Sequence, residues 1–154
     1  MMTLKEIIGS SITEDKLNPK KLEQCKDLQR RVNIIREAYG KPMNSNSGVR
    51  TWADHIRIYK DLATQKRHPF INGIFDETKV PKLSKHLETV LDCAAVDIAD
   101  PGQLIKKWLK ETPEGRAALD KADLWCEDDD VQRLHFQNKA FGSYKPGGTR
   151  WFKP

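Results

Sequence analysis

Apolar positions in the first third of the chain recur at helical spacing. Leu4, Ile7, Ile8 and Ile12 form a short amphipathic pattern interrupted at Gly9-Ser10-Ser11, which predicts a brief helix or packing arm. Asn18-Pro19 is an N-cap residue followed by proline at the first helical position. Behind it Leu22, Cys25, Leu28, Val32, Ile35 and Tyr39 return every three to four residues, one face of a long helix that Gly40 is placed to end. Pro42 to Arg50 reads as extended chain reaching a turn at Asn46-Ser47-Gly48. Thr51 opens a further helix with Trp52, Ile56, Tyr59 and Ala63 on one side. Gln65 to Leu83, with Pro69, Gly73 and Pro81, reads as a long loop with one short turn, of the kind that shapes access to a site.

The second half mixes strand and helix signals. Cys93-Ala94-Ala95-Val96-Asp97-Ile98 predicts a buried strand. Asp100-Pro101 and Thr112-Pro113 repeat the cap-then-proline signal, opening helices through Leu104, Ile105, Trp108 and Leu109 and through Ala117, Ala118 and Leu119. Leu124 to Glu127 and Arg133 to Gln137 read as two strands joined by the acidic turn Asp128-Asp129-Asp130. The expected architecture is an α+β domain, helices packed on a small antiparallel sheet. At 154 residues it forms one domain, 1–154, with residues 1–41 as a helical part ahead of a core from 42 to 154.

Composition narrows the class. Charged residues make up 32% and hydrophobic residues 38%, which suits a folded chain with a real core and excludes a disordered one. No apolar run approaches a membrane span, so no membrane partner is expected. Met1-Met2-Thr3-Leu4-Lys5-Glu6 lacks the basic region and apolar core of a secretory signal, and the expected location is a cytoplasm, or a virion after assembly. Cys25, Cys93 and Cys126 are scattered and form no Cys-x-x-Cys pair, so they read as buried small hydrophobes rather than disulfides or zinc ligands. A net charge of +5 favours anionic surfaces without choosing among them. The tail from Phe136 carries Lys139, Phe141, Tyr144, Lys145, Arg150, Trp151 and Phe152, with Gly147-Gly148 for a turn. Aromatic packing against the sheet is the simpler reading. Stacking on bases or sugars is the other, and a nucleic-acid partner rests on that and the charge alone.

His86, Asp97 and His135 are the residue types that hold a catalytic zinc: two imidazoles and a carboxylate leave one tetrahedral position open for water. Spacing alone leaves them equally readable as ordinary core or surface residues. His55 lies on the helix after Thr51 without an acidic or histidine neighbour at ligand spacing and reads as a packing residue, and His68 as solvent-facing. The order of four short segments carries the weight: Ser47-Gly48-Val49-Arg50, Ser84-Lys85-His86, Ala95-Val96-Asp97-Ile98 and Leu134-His135-Phe136.

In that order the segments resemble the M15 peptidase family, D-Ala-D-Ala carboxypeptidase-like and endolysin-type enzymes with a Ser-Gly-x-Arg, a Ser-x-His-x(6)-Asp and a later x-His-x segment. The tail Gly148-Thr149-Arg150-Trp151-Phe152-Lys153-Pro154 is similar to the ending of the phage and prophage branch. The resemblance runs from Met43 onward. It implies a hedgehog/DD-peptidase-like fold and a zinc-dependent peptidase acting on peptidoglycan stem or cross-link peptides, in phage lysis or entry. It further implies His86, Asp97 and His135 as zinc ligands and Arg50 on substrate polar groups, for which a guanidinium fork is suited.

Two departures bear on activity. His86 and Asp97 stand eleven positions apart, four more than the family pattern and about one helical turn; either a bulge after His86 absorbs them or His86 no longer reaches the metal. Asp92 is an alternative carboxylate. The family's general base, three positions before the last histidine, is Gln132 here, which takes no proton. Glu127, in a Trp-x-Glu segment, is the first candidate to replace it, and Asp130 the second. A non-catalytic relative serving as a virion or wall-binding protein is the alternative function.

Overall fold

The computed structural model describes residues 1–65, 74–129, 131–140 and 149–153. In chain order the elements are α1 (Leu4–Ile8), α2 (Pro19–Tyr39), β1 (Ser45–Ser47), α3 (Trp52–Thr64), β2 (Ala95–Ala99), α4 (Leu104–Glu111), α5 (Pro113–Ala122), β3 (Trp125–Glu127), β4 (Arg133–Gln137) and β5 (Trp151–Phe152). Local chemistry explains most boundaries. Asn18, Thr51 and Thr112 each turn a side-chain oxygen onto an early N–H of the helix that follows, satisfying a donor with no partner inside the helix. Thr3 and Glu6 form a reciprocal capping box on α1. Gly40 ends α2 at φ 69°, a left-handed conformation that glycine adopts without strain.

Asp100-Pro101 departs from expectation. The proline begins a 3-10 turn, Pro101–Gln103, and α4 starts only at Leu104. Asp100 still acts as a cap, over a longer reach: its two carboxylate oxygens accept from the N–H groups of Ile105 and Lys106.

The fold is α+β with a five-stranded sheet in the order β1-β2-β4-β3-β5. Its first four strands pair antiparallel, as expected. The sheet as a whole is mixed, because β5 runs parallel to β3. Cys126 N–H donates to the Arg150 carbonyl and Asp128 N–H to the Phe152 carbonyl, so the tail's Trp151 and Phe152 cover what would be a bare edge of β3. A second correction concerns Asn46-Ser47, which lie in β1 rather than in a turn; Ser47 pairs with Asp97. The chain leaves the sheet after Gly48.

Alternation along the strands sorts the two sheet faces. Val96, Ile98, Leu134, Phe136 and Cys126 point to one face and are fully buried in a core shared with Cys25, Leu28, Val32 and Ile35 of α2, with α1, α4 and α5. The helical N-terminal part and the sheet therefore share one core. The opposite face carries Asp97, Arg133, His135, Gln137 and Glu127. A smaller apolar cluster, Ala63 and Val80 with Trp52, Ile56, Tyr59 and Phe75, builds up around α3. His55 is buried there between the Trp52 and Tyr59 rings, its Nε2 donating to the Pro81 carbonyl at 3.0 Å. The three cysteines are buried and free. Among the described residues, no helix is long and apolar enough to cross a membrane.

One side chain without precedent in the sequence pattern organises the segment between His86 and β2. Lys21 of α2 is wholly buried, and its ammonium donates to the carbonyls of Lys85, Val90 and Cys93 at 3.0, 3.0 and 2.7 Å. Three protons meet three acceptors. Residues 87–93 are thereby held as a compact excursion after His86, which answers the question the long His86–Asp97 spacing posed.

Candidate metal centre

The antiparallel register places Asp97 of β2 directly opposite His135 of β4. Ser47 of β1 pairs with Asp97 on the other side. His86 arrives from outside the sheet. Its carbonyl accepts from Arg50 N–H, and Leu87 bridges Arg50 as a short parallel pair, so the segment carrying His86 is stitched to the chain leaving β1. The excursion after His86 therefore ends with His86, Asp97 and His135 together, at 4%, 3% and 6% exposure. Asp92, the alternative carboxylate, is instead an exposed partner of Lys139.

The three ligand atoms form a tight triangle. His86 Nε2 lies 3.2 Å from His135 Nδ1 and 3.4 Å from Asp97 Oδ1, and His135 Nδ1 lies 3.0 Å from that same oxygen. A tetrahedral ion with bonds of about 2.0–2.1 Å spaces its ligands about 3.3–3.4 Å apart. The triangle is within a few tenths of an ångström of that face.

Hydrogen bonds on the far side of each ring fix what the near side offers. His86 Nδ1 is 2.8 Å from the Gly48 carbonyl, so Nδ1 carries the proton and Nε2 presents a lone pair. Gln137 donates its amide N–H to the Lys139 carbonyl, which turns Oε1 toward His135 Nε2 at 3.3 Å. His135 Nε2 accordingly donates, and Nδ1 presents its lone pair to the triangle. Two outer partners thus orient two imidazoles, the arrangement by which metal-binding histidines are held. Gly48 has its own constraint. A Cβ there would lie 2.0 Å from the Ile7 carbonyl oxygen, because the end of α1 packs on the end of β1, where Val49 N–H donates to the Ile8 carbonyl.

Two lone pairs and a carboxylate facing one another in a buried space repel unless a cation or a proton sits among them. Without an ion, a proton serves. Burial pushes the His86 pKa down to about 4, which keeps that ring neutral. Burial acts in the same direction on His135, but the hydrogen bond to Asp97 and its charge outweigh it and raise the pKa. Burial works to raise the Asp97 carboxyl, yet the adjoining imidazoles hold it well below the usual range. The Asp97–His135 pair is therefore the ionised one, and an ion taking that place displaces the His135 proton.

Two arginines flank Asp97. Arg50, only 14% exposed in its side chain, places Nη2 3.2 Å from Oδ2 and 2.6 Å from Ser47 Oγ, while Ser47 lies 3.1 Å from Oδ2. Its Nη2 is thus committed to orienting Asp97. Arg133 places Nη1 2.9 Å from Oδ1 and Nη2 3.2 Å from Glu127 Oε2. Glu127 stands on the same sheet face as His135, one step past the Cys126–Phe136 pair. Phe152, paired with Glu127 across the parallel edge, sets its ring edge-on to His135 at 6.2 Å. Gln132 is exposed and enters only through its carbonyl, which accepts from Asp100 N–H. Asp130 lies outside the described residues, as do His68, Phe141, Tyr144 and Lys145.

Several site residues had no role from the sequence. Arg133 and Gln137 stand two positions either side of His135, so strand alternation alone marks them as facing the same way. The sequence marks Tyr59 only as an apolar position on α3. Burial raises its pKa, and the charges acting on it are those of Arg50, Glu127 and Arg133, which puts the phenol at the border of the site. Compared with known proteins, the chain matches no family model, no curated protein and no solved structure.

Proposed function

We propose that this chain is a zinc-dependent peptidase acting on peptidoglycan stem or cross-link peptides, in phage lysis or entry, with the hedgehog/DD-peptidase-like fold of the M15 peptidases. The observation that carries it is the buried triangle of His86 Nε2, Asp97 Oδ1 and His135 Nδ1 with 3.0–3.4 Å edges, each imidazole oriented by a hydrogen bond from behind. Zinc bound there supplies an acidified water and polarises a peptide carbonyl. Asp97 and the two histidines hold it, and three protein ligands leave a position free. Ser47 and Arg50 keep Asp97 turned toward the histidines. Glu127, on the same sheet face, is the carboxylate proposed to take the proton from the attacking water. Arg50 serves substrate only through the donor capacity its grip on Asp97 leaves, and its buried Nε–H has no partner among the described residues.

A second reading has its own support. Glu127 is ion-paired to Arg133, and the family's base position holds an exposed Gln132. Both suit a non-catalytic virion or wall-binding protein that keeps the fold.

Metal content of the purified chain and of His135→Ala, beside turbidity loss on purified peptidoglycan, separates the readings. One zinc per chain, lost in the variant, with cleavage that a chelator abolishes, supports the peptidase. Zinc without cleavage supports the binding protein. A chain that takes up no metal overturns the peptidase reading and leaves the binding protein, which requires none.

A further inference from the structure

The two arginines on Asp97 grip different oxygens. Arg50 and Ser47 take Oδ2, which faces away from the imidazoles, and an ion at Oδ1 leaves their contacts undisturbed. Arg133 takes Oδ1, the oxygen that also faces His135 at 3.0 Å and His86 at 3.4 Å. A carboxylate oxygen has two lone-pair directions. The guanidinium takes one, and an ion among the three ligand atoms takes the one facing the imidazoles, so two cations meet on a single oxygen.

Arg133 also has somewhere else to go. Its second amino group is already 3.2 Å from Glu127 Oε2 and 3.6 Å from Asp129 Oδ2, and its side chain is 37% exposed, against 14% for Arg50. Lys106 shares Asp129, so Glu127 is the main alternative anchor. A fixed positive charge on the oxygen that must bind a divalent cation opposes that cation by direct repulsion. The same charge offsets part of the negative charge of Asp97 and Glu127 while no ion is present.

We propose that Arg133 is the counter-cation of the metal pocket: it bonds Asp97 Oδ1 when the pocket is metal-free and is transferred to Glu127 when an ion binds. The proposal rests on the metal-centre reading above and adds a regulator to it. Arg133 and the ion are antagonists, and by reciprocity each weakens the other's hold on Asp97. Metal occupancy also tightens the guanidinium on Glu127, which orients that carboxylate and lowers its proton affinity, so Arg133 is a positioning residue.

Zinc affinity of the full-length chain, measured by competition with a chromophoric chelator, tests this without any assay of activity. Arg133→Gln and Arg133→Met, which keeps the apolar stem, are expected to bind zinc about five-fold tighter or more, the lower end of ordinary site–site coupling. In metal-free buffer both are expected to melt below wild type, with the difference narrowing when zinc is added. Arg133→Lys keeps the charge and is expected to stay near wild-type affinity. Folded neutral variants that bind zinc equally or more weakly overturn the proposal while leaving the metal-centre reading in place. A wild-type chain that takes up no zinc overturns that reading, and this proposal with it.

Discussion

Lys21→Met removes the ammonium that holds the segment after His86 and leaves a side chain of similar length in its place. The carbonyls of Lys85, Val90 and Cys93 then lose a common donor at 2.7–3.0 Å. Each bond from a charged donor contributes about 1.5–3 kcal/mol net. Burial works against this total: it pulls the lysine pKa from 10.5 to about 8, a cost of roughly 3 kcal/mol at about 1.4 kcal/mol per tenfold change. The difference, with carbonyls left unpaired in the variant, gives an expected loss of about 3–5 kcal/mol, in the range for removing one side of a buried ionic contact. Urea unfolding at pH 7, followed by far-UV circular dichroism, reads this as a lower midpoint at unchanged slope. The pH dependence carries a sign as well. The folded chain releases the Lys21 proton near pH 8 and the unfolded chain near 10.5, so the unfolded state binds more protons between those values and wild type gains stability as pH rises through that window. Lys21→Met lacks this gain. A loss under about 1 kcal/mol at pH 7, with the two proteins parallel from pH 8 to 10, would refute the reasoning and show that Lys21 does not hold the segment.

Two further outcomes follow from the same geometry. Zinc at about a hundred times its dissociation constant is expected to add roughly 2.7 kcal/mol of stability, a rise in Tm of about 5–10 °C for a chain of this size; His86→Ala abolishes the rise, and an equal rise in that variant would show that the ion binds elsewhere. Gly48→Ala drives a methyl to within 2.0 Å of the Ile7 carbonyl oxygen and so shifts the backbone whose carbonyl orients His86. A cost of about 3 kcal/mol or more is expected, together with weaker zinc uptake, and a variant of wild-type stability and affinity would mean that α1 yields without moving the site.

How much of this was legible beforehand differs by element. Helix α2 was readable from Asn18 to Gly40 because a cap, a first-turn proline and a closing glycine act within a few residues of themselves. The β2, β3 and β4 strands were likewise visible as short apolar stretches. β1 was missed as a strand because Ser45-Asn46-Ser47 has the composition of a turn; pairing with β2 overrides that preference. The parallel placement of β5 had no local signal, since Trp151-Phe152 is too short to announce a direction.

The amino-acid order by itself determined the residue types of the candidate metal site, the capping chemistry and the alternation that turns Asp97 and His135 to one face of their strands. It did not decide whether eleven positions between His86 and Asp97 are too many. That answer depends on Lys21, more than sixty residues away in the chain, whose ammonium gathers three carbonyls of the intervening segment. Nor did it show that Gly48 orients one ring, Gln137 the other, and Arg133 the carboxylate oxygen between them. Caps and periodicity act over a turn or a pleat and are written in neighbouring residues. Distances between ligand atoms are set by strand register and by packing between distant segments, and only the folded chain fixes those.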